Sequence, residues 1–174
     1  MSVTFDQALK ANYLVNQDLI NIITLLANRV LGKAGISIDA NTNDVETDNA
    51  IDFVINGIVY QLAAQTAIDI SGLDFYDADG EALSAVAAQA DDYDCLYVFS
   101  VNASGTIIVS QATAVALGGA IVFPTIPSGY VPLGAVKVVN ETGSAFTFGT
   151  TGLDTSGITD TYYDLSIVPA GMTF

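Results

Sequence analysis

Between Ser2 and Lys33 the apolar residues recur every three or four positions, whereas beyond Ile51 they alternate or fall in short β-branched strings. The first pattern predicts an amphipathic helix and the second a series of strands. Writing Leu9 as position a of a heptad places Leu9, Asn16, Ile23 and Val30 at a, and Phe5, Asn12, Leu19 and Leu26 at d. Ser2 or Thr4 is available as an N-cap and Gly32 as a C-terminal stop. Ala8, Val15 and Ile22 at g, with Ile20 and Ala27 at e, widen the stripe beyond what a two-stranded zipper needs, which points to three or more helices or to docking on a larger surface. The eight a and d residues are therefore the candidate oligomerisation or docking seam. Asn12 and Asn16 within it would fix register and oligomer state if copies share the seam; on a helix packed against its own domain they would face water.

The strand-rich part opens with Ile51-Asp52-Phe53-Val54-Ile55-Asn56-Gly57-Ile58-Val59-Tyr60-Gln61-Leu62, two apolar runs around Asn-Gly. That dipeptide is the strongest short-range hairpin signal. A second hairpin is expected from Leu96–Val101 and Thr106–Ser110 around Asn102-Ala103-Ser104-Gly105. Further strands are expected at Leu133–Asn140, Ala145–Phe148 and Tyr163–Val168, separated by Pro124, Pro127 and Pro132 and by the stretch from Gly149 to Gly152. The alanine-rich stretch Ala82–Ala90 is compatible with a helical turn. The fold class expected is mainly β, a β-sandwich or small barrel preceded by an N-terminal amphipathic α-helix. Its division is residues 1–35 as helix, 36–50 as linker and 51–174 as β domain.

Charge sharpens that division. Residues 1–35 carry Lys10, Arg29 and Lys33 against Asp6 and Asp18, a net of +1, while residues 36–174 set Lys137 against seventeen carboxylates, a net of −16. No basic residue lies between Lys33 and Lys137, so the acids there are expected mostly in solvent. Nucleic acid is excluded as a partner, because phosphate binding draws on Lys and Arg that displace counterions. Charged residues are only 13% of the chain and hydrophobic ones 51%, a composition that folds or assembles instead of remaining disordered.

The residues that are missing narrow the chemistry. Without His the chain lacks the commonest general base and transition-metal ligand, and most hydrolase triads are excluded. Cys95, in Asp94-Cys95-Leu96-Tyr97-Val98-Phe99, is read as a core residue beside carboxylates that would raise its pKa. The acidic run Asp74–Glu81 fails as an EF-hand loop: with Asp77, Asp79 and Gly80 at positions 3, 5 and 6, Phe75 and Val86 occupy positions that need oxygen ligands. A surface Asp-Gly turn accounts for it better. Paired carboxylates for glycoside chemistry arise by chance among nineteen acids, and there is no Trp to stack a sugar. Asn102-Ala103-Ser104 and Asn140-Glu141-Thr142 match a glycosylation pattern without a secretory signal. No catalytic residue, cofactor, metal or membrane partner is expected.

The strings Phe53–Ala64, Asp94–Ile107, Phe123–Val138 (Phe-Pro-Thr-Ile-Pro-Ser-Gly-Tyr-Val-Pro-Leu-Gly-Ala-Val-Lys-Val) and Phe146–Leu165, in that order, resemble structural proteins encoded in the virion modules of tailed bacteriophages, including head decoration and head-fibre proteins. The resemblance covers about residues 51–168 and is one of style and segment order. It implies a non-enzymatic capsid decoration (cement) or head-fibre protein, a homotrimer on the outer surface of the capsid, made in the host cytoplasm. Its partners would be itself and the major capsid protein or another virion protein. The alternatives are a tail, neck or baseplate protein, or a non-viral β binding domain or adhesin.

Overall fold

The computed structural model describes residues 27–166. Twelve strands follow in order: β1 (Arg29–Val30), β2 (Ile36–Ile38), β3 (Val45–Thr47), β4 (Ile51–Ile55), β5 (Ile58–Leu62), β6 (Asp74–Tyr76), β7 (Ala82–Leu83), β8 (Tyr93–Asn102), β9 (Ile107–Gln111), β10 (Val115–Ala116), β11 (Tyr130–Asn140) and β12 (Ile158–Asp164). They form three sheets: β1-β4-β5, β2-β3, and a large sheet ordered β12-β11-β8-β9-β6-β7 with β10 added to β8. The chain is mainly β.

The long central strands explain why these residues pack as they do. Along β8, Cys95, Tyr97, Phe99 and Val101 enter the main core while Leu96 and Val98 enter a smaller one on the opposite face. A strand buried on both faces reads as a continuous apolar run, as this one does. On β11 the side chains facing the main core are Val131 and Leu133, then Val136 and Val138. The change of parity occurs at a bulge between Pro132 and Gly134, where one extra residue keeps the same face inward. Gly134 is required there, since a Cβ would lie 2.6 Å from Ile36 Cδ1 and 2.8 Å from the Tyr163 carbonyl oxygen. The main core is closed by β1, β2, β3 and β4 through Val30, Ile36, Val45 and Phe53. The smaller core lies under Ile121, Phe123 and Ile126 of the connection to β11.

Both expected hairpins form. β4 and β5 pair from Ile51↔Leu62 to Ile55↔Ile58, and Asn56 (φ 52°) with Gly57 (φ 77°) makes the two-residue turn with both residues left-handed. In the β8–β9 loop the Asn102 side-chain oxygen accepts from the N–H groups of Ser104 (2.9 Å) and Thr106 (3.0 Å). Four expectations need correction. Residues 36–50 are not a linker: β2 and β3 form a hairpin there, and the Gly35 N–H donates to the Asp164 carboxylate at 2.8 Å. Ala82–Ala90 holds no helical turn; it carries β7, and Gln89 bridges to Phe146. Ala145–Phe148 contributes that single bridge, because Phe146 and Phe148 are held by ring packing more than by a ladder. The last described strand spans Ile158–Asp164, earlier than expected.

Burial sets a pH limit on this core. Cys95 is fully buried and its thiol lies 3.3 Å from the Ala112 carbonyl oxygen. Burial pushes the Cys95 thiol from 9.0 up to about 11, and burial, with Cys95 alongside, pushes the Tyr97 hydroxyl up as well. Each group is held neutral in the fold but ionises at its ordinary pKa when unfolded, so its contribution is complete below the unfolded value and lost as pH rises through the folded one. For Cys95 the interval from 9.0 to about 11 corresponds to roughly 3 kcal/mol. Urea unfolding should therefore be flat up to about pH 8.5 and fall steeply by pH 10.5. Cys95→Val should blunt that fall; an unchanged alkaline limb in the variant would contradict the assignment.

Candidate functional site

The expected seam divides at the start of the described structure. Phe5, Leu9, Asn12, Asn16, Leu19, Ile23 and Leu26 lie outside the described residues. Val30 does not belong to a helical seam: it is 2% exposed in β1, opposite Phe53 on β4. The heptad pattern continues through Val30 on paper, but a β-branched residue beside a free strand edge gains both a ladder and a place in the core. Ala27 is helical, but β1 begins at Arg29, before the expected stop at Gly32.

What the structure adds is the place where residues 1–26 join the β body. At the tip of the β4–β5 hairpin the Gly57 N–H donates to the Ala27 carbonyl at 3.1 Å, and the Asn56 N–H donates to the Asn28 side-chain oxygen at 2.9 Å. The Leu31 N–H then donates to the Asp52 carbonyl at 2.8 Å. Residues 27–31 are thus fastened to the three-stranded sheet at its turn and along β4.

That corner has an unusual surface. Cross-strand partners share a face, so Arg29, Val54 and Val59 form one row across the outer side of the sheet, with Leu31, Asp52 and Gln61 beside it. Ile58 is 58% exposed, Val59 62% and Leu31 47%. Because Ile55↔Ile58 closes the two-residue turn, the alternate pairs direct their N–H and C=O groups outward, which leaves those of Val59 and Gln61 on the free edge. Among the described strands of five residues or more, β5 is the one edge strand without a charged side chain; the other, β12, carries Asp160 and Asp164. The remaining edges of these two sheets, β1 and β7, are two residues long. Short or charged edges are how proteins prevent unwanted pairing, and β5 has neither protection.

Elsewhere the surface is acidic, with two exceptions to the solvent-facing expectation. Asp94 is buried and pairs with Lys137 Nζ at 3.1 Å, so the partner that was absent in nearby sequence arrives from the adjacent strand. Asp44 is also buried; it accepts from the Asn41 amide and from the Ile70 N–H at 3.2 Å. With Lys137 paired, Arg29 and Lys33 are the exposed cations among the described residues, and both lie at the corner.

The acidic run is a turn. Asp77 Oδ1 accepts from the N–H groups of Asp79 (3.0 Å) and Glu81 (2.9 Å), and no group of three or more Cys, Asp or Glu among the described residues could hold a metal ion. Asn140 is buried, its amide donating to the carbonyls of Gln89, Ala90 and Ser144, so it offers no attachment point for a glycan. A cleft of about 270 Å³, smaller than usual ligand sites, is lined by Leu73, Phe75, Leu83 and Phe148 together with Ser71, Ser84, Thr150 and one carboxylate, Asp74. No helix among the described residues is long and apolar enough to cross a membrane.

No protein-family profile, curated protein or solved structure matches this chain. The sequence singles out a seam that, Val30 apart, lies outside the described residues, and it does not single out Leu31, Ile58 or Val59. The available signal was the broken alternation after Asn56-Gly57, where Ile58-Val59-Tyr60 is apolar on both faces without a neighbouring charge.

Proposed function

We propose that this chain is a non-enzymatic structural protein of a tailed-bacteriophage virion, a capsid decoration or head-fibre protein that assembles as a homotrimer on the outer surface of the head. Its partners are its own copies and the major capsid protein. The observation that carries the reading is the separation of surfaces: a sandwich-like β body that is acidic over most of its exterior meets the N-terminal segment at one uncharged apolar edge flanked by Arg29 and Lys33. Such a body suits a coat, with strands for rigidity, a separate docking element and a like-charged exterior that keeps particles apart.

Attachment is mainly apolar on this reading. Each copy carries a net −15, and with a Debye length of about 8 Å at physiological ionic strength neighbouring copies repel. Salt screens that repulsion and leaves apolar burial intact. Particles washed in rising salt should therefore retain the protein in the pellet. Absence from the pellet at every salt concentration would overturn the virion reading. Release at high salt would show instead that the acidic surface docks on a basic partner.

A further inference from the structure

We propose that the outer face and free edge of the three-stranded sheet, with Leu31 just past β1, Val54 on β4 and Val59 on β5 on that face and Ile58 exposed on the other face at the end of the free edge, form the surface through which one copy of this chain docks on a second copy. This rests on the assembling role proposed above and names the surface that performs it. Three independent features select the occupant. The edge groups of Val59 and Gln61 have no backbone partner among the described residues, and Ile58 and Val59 are exposed apolar side chains there, with the Gln61 amide donating to the Asp52 carboxylate at 2.9 Å beside them, so the described residues leave an open template for strand pairing or packing. The 26 residues preceding Ala27, which carry the apolar a and d pattern, join the body at the adjoining turn through Asn28–Asn56 and Ala27–Gly57, so a seam shared between copies would draw them together at this corner. Charge decides between a copy of the chain and other apolar partners.

With a net of −16 over residues 36–174, two copies repel across most approaches. The corner holding Arg29 and Lys33 is where that repulsion is least. A contact of this corner with a different part of the neighbour is heterologous, the kind that closes into a ring. The β5 edge and a three-fold assembly are therefore compatible, whereas β5 meeting β5 would stop at a dimer.

The test is sedimentation of the full chain with lysine, not aspartate, placed on the surface. Lysine lowers the net negative charge, so any loss of association reflects an unpaired ammonium in an apolar contact and not added repulsion. Ile58→Lys with Val59→Lys should weaken self-association by about tenfold or more, while Thr159→Lys on the β12 edge leaves it unchanged. Leu31→Lys, just past β1 and away from β5 in the same patch, should act in the same direction and guards against a local folding defect in β5; thermal unfolding of each variant reports such a defect. Wild-type assembly retained by both patch variants would overturn the assignment, as would a wild type that is monomeric at tens of micromolar. Retention of the protein on particles while the patch variants still assemble would leave the virion reading standing and remove this surface. Dissociation of the variants, with the protein absent from particles, would do the reverse.

Discussion

A chain lacking residues 1–35 will not fold, whereas one lacking only residues 1–26 will keep the β body and lose self-association. Charge and heptad pattern place the division between helix and β region near residue 35, yet residues 27–35 are built into the sheet. Val30 and Ala34 are 2% and 0% exposed in the main core, and the Asn49 and Asp48 N–H groups donate to the carbonyls of Ala34 (3.2 Å) and Gly35 (3.1 Å). Removing them uncovers Phe53 and Ile36 and strands several buried polar groups, each costing about 1–3 kcal/mol. Against a typical total of about 5–15 kcal/mol that loss is global. Circular dichroism and sedimentation of the two truncations check this. A folded product from the longer deletion would show that β1 is dispensable, and an oligomer from the shorter one would show that residues 1–26 are not needed for assembly.

Phe148→Ala will destabilise the protein by about 4 kcal/mol and lower its melting temperature by roughly 10 °C. Phe148 is 1% exposed, stacked on Tyr97 with centroids 4.0 Å apart and set edge-on to Phe99 at 6.0 Å, so truncation removes a ring from the centre of an aromatic cluster. The surroundings cannot collapse into the space, since Tyr97 and Phe99 are fixed in the ladder of β8 with β11 and β9. Val122→Ala, on a side chain that faces solvent, should shift stability by less than about 0.5 kcal/mol. A loss below about 1 kcal/mol for Phe148→Ala would show that the cluster is not the centre of the core.

The elements legible in the sequence are those set by neighbours in the chain. Asn56-Gly57 dictates a turn that only one register of β4 and β5 satisfies, and the apolar run Leu96–Val101 beside a Gly-containing loop reads as a hairpin strand, which the fold buries on both faces. Elements that depend on distant partners were not legible. The three-residue β2 packs on β12 and sets Ile36 against Gly134 of β11, and the Asp164 that holds Gly35 lies 129 residues away. Parallel pairing of β6 with β9 has no local signature at all. The same distinction governs the proposed docking surface: periodicity singles out Leu9 and Ile23 for a seam that lies outside the described residues, but an exposed Val59 looks like any strand residue until the neighbouring strands are placed. Asp94 shows the converse, an acid with no cation nearby in sequence that is paired across β8 and β11 by Lys137.

The measurement that bears most directly on the proposed virion role is quantitative mass spectrometry of purified particles produced by cells carrying the gene in its native context. The account predicts this chain in fixed stoichiometry with the major capsid protein, at a copy number divisible by three. Its absence from particles, with the protein recovered only in the unassembled fraction, would contradict it.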